Sequence, residues 1–237
     1  MEKTIELWAK TYYTNLLWYV SMLIAVIAGI KYYRKERTYL FFLTYATSGL
    51  VIFLGLDILR YELYFQGRRN SLLLETCNIL FAIIETTAFN MFFYKVNFKF
   101  HKLIITAYLV LFYILSVIFF IKIIDPEFSK SQITSFSFQI TVIEFFQLLF
   151  LTLIYFYQLF TGEPVMVKPL NKTPSFWITT GLFFYIVVSL PFLLIGYKLF
   201  YYDHSLYYLI SSIHFISIIF LFLCLAKAFS CKTTLTT

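Results

Sequence analysis

Long apolar runs alternate with short polar connections along the whole chain. Seven runs stand out: Tyr13–Ile30, Thr38–Ile58, Ser71–Tyr94, Lys102–Ile121, Phe136–Phe160, Ser175–Tyr197 and Ser205–Phe229. Each is close to or above the roughly 20 residues that carry a helix across a hydrocarbon core of about 30 Å. Lipid offers the backbone no hydrogen-bond partner, so each run is expected to be helical. The runs are continuously apolar and lack the alternation of an outer-membrane barrel strand. The pattern predicts an all-α membrane protein, a seven-transmembrane-helix bundle forming one domain over Tyr13–Ser230, with a short tail at Cys231–Thr237. Ahead of it, Met1–Tyr12 sets Ile5, Trp8 and Tyr12 at helical spacing. That spacing suits either a short interfacial helix or the start of the first span.

Composition removes the soluble alternatives. The 237 residues are 61% hydrophobic and 13% charged, with a mean hydropathy of +0.81. Soluble domains are about 45–50% apolar and about 25% charged. The few charged side chains could not coat a water-facing surface. The net charge of +7 suits lipid headgroups, since no basic run is long enough to follow a phosphate backbone. No nucleic-acid partner is expected, and the lipid bilayer is.

Basic residues set the expected orientation. With the N-terminus outside, the outer side carries Lys3, Lys10, Arg60, Arg68, Arg69, Lys122, Lys130 and Lys198. The inner side carries the cluster Lys31, Arg34, Lys35 and Arg37, and also Lys95, Lys99, Lys102, Lys168, Lys172, Lys227 and Lys232. The excess of Lys and Arg on the second side predicts N-terminus outside and C-terminus cytoplasmic. The strongest basic cluster follows the first run, and no A-x-A site closes that run, so a cleaved signal peptide is not expected. A multi-pass location in a membrane that bounds the cytoplasm is expected.

Polar residues inside the runs are few and ordered. Three acids, Glu75, Glu85 and Glu144, and one histidine, His214, lie within spans. A charge at the bilayer centre costs at least about 2.5–3.5 kcal/mol, so such groups turn toward a bundle interior or a cavity. In the third run Ser71, Glu75, Asn78, Ala82 and Glu85 recur at intervals of four and three. In the fifth, Ser137, Thr141, Glu144, Gln147, Leu151, Tyr155 and Gln158 do the same, and in the seventh Tyr207, Ser211, His214, Ser217, Leu221 and Cys224. At about 100° per residue each set forms one helix face. Glu144 and His214 fall at matched depth, about 14 Å into their spans, and could pair directly. Such a pair is either an interhelical tie that holds the packing or part of a ligand site or proton relay.

Two further features bear on packing. Pro191 removes a backbone bond to the carbonyl of Val187 and is expected to bend the sixth span, as a hinge or as an ordinary packing kink. In the second run Thr44, Ser48, Val51 and Gly55 make a small-residue seam, expected to pack against a neighbouring helix. Pro164, Pro169 and Pro174 stiffen the connection before the sixth run, with Pro174 at a helix start.

Catalytic and cofactor signatures are missing. There is no H-E-x-x-H, no G-x-S-x-G and no glycine-rich phosphate loop. The last run has no mid-span lysine for a retinal Schiff base, since Lys227 stands at its end. Cys77, Cys224 and Cys231 have no metal or disulfide spacing. No metal, cofactor or catalytic residue is expected, and enzyme activity is not favoured.

Five short motifs carry a resemblance. They are Asn78-x6-Glu85, Val142-Ile143-Glu144, Tyr155-Phe156-Tyr157-Gln158, Pro174-Ser175-Phe176-Trp177 and Ile213-His214. From about Ser71 onward the chain resembles an uncharacterised family of seven-transmembrane-helix bacterial membrane proteins of the Bacteroidetes type. It also resembles the membrane-sensor regions of some histidine kinases, without a kinase domain. The resemblance implies a fold and a receptor-like role. The resulting expectation is a sensor module that binds a small molecule in the outer half of the bundle, at Glu144, His214, Asn78 and Glu75. It would flex at Pro191 and signal to a separate cytoplasmic or membrane protein partner. A transporter or proton-coupled permease with Glu85 and Glu144 as carriers is the alternative, and a non-catalytic accessory subunit the third.

Overall fold

A computed structural model describes residues 2–32, 38–65, 71–96, 99–125, 127–161, 170–202 and 204–231. Among the described residues there are seven α-helices: α1 Glu2–Tyr32, α2 Thr38–Phe65, α3 Ser71–Val96, α4 Lys99–Ile124, α5 Lys130–Phe160, α6 Pro174–Tyr202 and α7 His204–Ser230. Six contain apolar stretches long enough to cross a membrane: Tyr39–Asp57, Glu75–Val96, Lys102–Ile124, Ser131–Phe160, Pro174–Ile195 and Leu209–Ser230. The chain is accordingly a multi-pass α-helical membrane protein. The apolar part of α1, Leu16–Tyr32, is shorter than these. Glu2–Tyr12 is continuous with it, because α1 is one helix from Glu2. Arg34, Lys35, Arg37, Pro164 and Pro169 lie outside the described residues.

Every helix overruns its apolar run at one end or both, because hydrogen bonding continues past the last apolar residue. The clearest case is α5, which begins at Lys130 and not at Phe136. Ser129 caps it: its hydroxyl accepts from the Gln132 amide, and the Gln132 side chain accepts from the Ser129 amide at 2.9 Å. This reciprocal capping box satisfies two donors that a helix start otherwise leaves open. At α6, Pro174 takes the first helical position, where its missing N–H costs nothing. The Trp177 indole donates to the Asn171 carbonyl at 2.9 Å, tying the helix start to the 3-10 turn Leu170–Lys172.

The helices form two compact units, one of α1, α6 and α7 and one of α2 to α5. In the first, α7 packs against both α6 and α1. The α6–α7 approach is close at Gly181, where a Cβ would stand 2.7 Å from the Cys224 Cβ and 3.4 Å from the Leu221 Cα. Phe184 meets Phe220 edge-on at 4.9 Å, and Trp18 of α1 meets Phe215 of α7 at 5.8 Å.

In the second unit α3 is the most enclosed element, with 56% of its span buried, against 22% for α4. Ile79, Ala82, Phe112, Phe119, Ile133 and Ile140 form a core shared by α3, α4 and α5. α2 joins α3 through rings: Phe42 contacts Phe89 and Phe92, and Tyr45 and Phe53 contact Phe81. This corrects the expectation for the small-residue seam of α2. Thr44 and Val51 are exposed, and a Cβ on Gly55 would meet nothing within 4 Å. The aromatic face buries more apolar area than the small-residue face and therefore takes the inward position.

The outward faces carry Val51, Leu103, Val110, Ile114, Val117 and Leu153, all at least half exposed. Surfaces this apolar fit hydrocarbon. The two ends of α4 are marked by cation–π contacts. Lys102 lies 4.9 Å from the Tyr94 ring, and Lys122 lies 4.1 Å from the Phe136 ring. Twenty residues separate these lysines, a rise of about 30 Å, the thickness of a bilayer core. Lysine and aromatic residues are suited to the two edges of that core.

Candidate functional site

The polar residues of the second unit converge on one turn of α3. Glu85, Thr86 and Thr87 are consecutive, and each reaches a different helix. The Tyr45 hydroxyl of α2 donates to Glu85 Oε1 at 3.1 Å. Thr86 Oγ1 donates to Glu144 Oε1 of α5 at 2.6 Å. Thr87 Oγ1 donates to the Ile83 carbonyl at 2.5 Å, so it accepts from the Tyr113 hydroxyl of α4 at 2.7 Å. Successive residues on a helix point about 100° apart, and three of them therefore address three neighbours. One turn further, Asn90 donates to the Thr86 carbonyl at 2.8 Å and accepts from Gln147 Nε2 of α5 at 2.8 Å.

Burial makes these bonds matter. Glu85 is 3% exposed, Glu144 1% and Gln147 3%. A buried polar group left unpaired loses its full desolvation free energy, so the network also specifies which helices meet. The Asn90 bond to the Thr86 carbonyl fixes which end of its amide faces Gln147, and that fixes the Gln147 amide in turn. Gln147 Oε1 is thereby left buried with no donor among the described residues.

Other residues singled out by sequence take lesser places. Glu75 is half-buried on α3, one stripe position before Asn78. Asn78 is half-buried, and no side-chain hydrogen bond holds it among the described residues. The α5 stripe faces inward at Ser137, Glu144, Gln147, Leu151, Tyr155 and Gln158, all buried.

His214 belongs to the other unit. Its Nδ1 is 2.7 Å from Ser189 Oγ of α6, and the Ser217 hydroxyl donates to the His214 carbonyl at 2.6 Å. The imidazole stacks on Phe192 at 5.0 Å, with Tyr185 at 6.2 Å and Phe215 at 5.9 Å. Glu144 and His214 thus each have a partner inside their own unit. Pro191 lies inside α6 on its exposed side, two residues beyond the fully buried Ser189.

Sequence reasoning missed Tyr45, Thr86, Asn90 and Ser189. For Thr86 and Asn90 a signal existed: they are four apart on α3 and flank the stripe ending at Glu85. Tyr45 is one of 20 tyrosines and had none. No cluster of three or more His, Cys, Asp or Glu side chains able to hold a metal occurs among the described residues. No protein family, curated protein or solved structure matches the chain.

Proposed function

We propose that this protein is a membrane-embedded sensor or receptor-like module whose receiving element is the Glu85–Thr86–Thr87 turn of α3. The observation that carries this reading is that three consecutive residues bond to α2, α5 and α4. A ligand that displaces any of these bonds changes the packing of several helices at once. A polar network that ties several helices together is an element through which a receptor can convert binding into a rearrangement. The motif resemblance to seven-helix bacterial proteins and to kinase sensor regions supports the same role. In this reading α1 is the seventh span, the N-terminus is outside and the C-terminus is in the cytoplasm of a bacterium, where a separate protein partner reads the change.

The test is a stability screen of the purified protein in nanodiscs against small metabolites and ions. A receptor shows a ligand-dependent rise in melting temperature that Thr86→Val reduces or abolishes. No shift across a broad screen overturns the reading and leaves an accessory subunit. The buried acids Glu85 and Glu144 also favour a second reading, a proton-coupled carrier. Uptake of the same compound into proteoliposomes, driven by a pH gradient and lost in Glu144→Gln, would establish the carrier in place of the sensor.

A further inference from the structure

We propose that the α3–α4 edge at Lys95 and Lys102 is a docking site for an anionic phospholipid, with the phosphate on the two lysines and one acyl chain on the outward face of α4. This goes beyond the receptor reading above and does not depend on it.

Charge is the first support. Between Glu85 and Asp125 the sequence holds no acid, and Lys95, Lys99 and Lys102 fall together where α3 gives way to α4. Lys95 is exposed in the last turn of α3, and Lys102 is half-buried at the start of α4. The Lys102 ammonium stands 4.9 Å from the centre of the Tyr94 ring, which is 43% exposed. Tyr94 and Lys95 are consecutive, so this contact sets both lysines at one end of the α3–α4 pair. The other end of α4 differs. There Lys122 and Lys130 are offset by Asp125 and Glu127, and the Lys122 ammonium faces the Phe128 and Phe136 rings at 4.9 and 4.1 Å. One end of α4 therefore attracts an anion, and at the other the formal charges cancel.

The apolar half of the site continues along α4 toward the bilayer midplane. Leu103, Ala107 and Val110 recur at intervals of four and three, and all are exposed, Leu103 to 78%. Thr106 is exposed beside Ala107, and its hydroxyl donates to the Lys102 carbonyl at 2.9 Å, so it needs no water at this depth. Two small residues between Leu103 and Val110 leave a shallow groove. From Lys102 to Val110 the helix rises about 12 Å, within the roughly 15 Å that one leaflet contributes to the hydrocarbon core. A phosphate at the level of Lys102 and Tyr94 thus lays its acyl chain over Ala107. Lipid tails are as apolar as this helix face, so the chain supplies position and the lysines supply selectivity. A soluble anion meets the charge but leaves the groove empty, which is why the lipid is the fitting occupant.

The test uses the full chain in nanodiscs of equal parts phosphatidylcholine and phosphatidylglycerol. Lipid that stays bound is identified by native mass spectrometry, after gel filtration has shown each variant to be folded. Phosphatidylglycerol should be retained in preference to phosphatidylcholine. A lysine beside an anionic headgroup is worth about fivefold in affinity, so Lys102→Gln should lower the preference by that factor and Lys95→Gln with Lys102→Gln should lower it further. Lys122→Gln should leave it unchanged. Ala107→Phe fills the groove and should lower retention with both lysines in place. Equal retention of the two lipids overturns the proposal, as does a preference that survives in the double lysine variant. An equal loss in Lys122→Gln reveals attraction to total charge and overturns it too. Unchanged retention in Ala107→Phe refutes the placement of the acyl chain. Displacement of the bound lipid by soluble glycerol phosphate shows a site for a free anion and rejects the lipid.

Discussion

Thr86 Oγ1 and Glu144 Oε1 stand 2.6 Å apart, a hydroxyl-to-carboxyl bond joining α3 to α5 where both residues are almost completely enclosed. Thr86→Val keeps the shape and removes the donor. It should lower stability by about 1–3 kcal/mol, the range for leaving a buried acceptor unpaired. A double-mutant cycle with Glu144→Leu, which removes the acceptor, read by thermal unfolding in detergent, should return a coupling of about 0.6–1.7 kcal/mol, as for other bonds within membrane bundles. Simple additivity would show that the contact does not hold the helices together.

Gly55 and Gly181 should respond in opposite ways to alanine. A Cβ at Gly181 would lie 2.7 Å from the Cys224 Cβ, so Gly181→Ala forces α6 and α7 apart and should cost about 1–3 kcal/mol. Adding Cys224→Gly relieves the clash, whereas Cys224→Ala keeps the offending Cβ and does not. At Gly55 the same change meets open space and should be neutral or stabilising by up to about 1 kcal/mol. Melting temperatures of the four variants in one detergent decide this.

The His214 ring makes two separable kinds of contact, the Ser189 bond and aromatic packing in which Phe192 is nearest. His214→Phe keeps a ring on Phe192 and loses only the hydrogen bond, so it should destabilise less than His214→Ala. Ser189→Ala should match the hydrogen-bond part alone. If His214→Phe and His214→Ala melt together, the stack contributes nothing.

The start of α5 depends on Ser129. Ser129→Ala removes the cap and should cost about 0.5–2 kcal/mol. Hydrogen exchange should rise at the first turn after Lys130 and remain slow near Glu144. Uniform acceleration along α5 would mean that the whole helix, and not its end, relies on the cap.

Much of the fold is legible because its causes are local. A run such as Phe136–Phe160 declares a buried or lipid-covered helix by length and composition alone. The inward stripe of α5 follows from one helix's own period, and Ser137, Glu144, Gln147, Leu151, Tyr155 and Gln158 are all buried as that period requires. The α2 seam shows the limit. Small residues and aromatic residues each make a plausible packing face, and the choice was made by Phe81, Phe89 and Phe92 on α3, far away in sequence.

By itself, the sequence determined the solvent of this protein, where its long apolar helices lie, and which few polar residues must leave the lipid. These follow from hydrophobic run length and from a 3.6-residue period, both read within one segment. Only the tertiary structure decided the partners: Glu144 with Thr86, Glu85 with Tyr45, His214 with Ser189. A hydrogen bond requires atoms within about 3 Å and a set direction, and which helix supplies them depends on how whole surfaces pack. No spacing along a single helix contains that information.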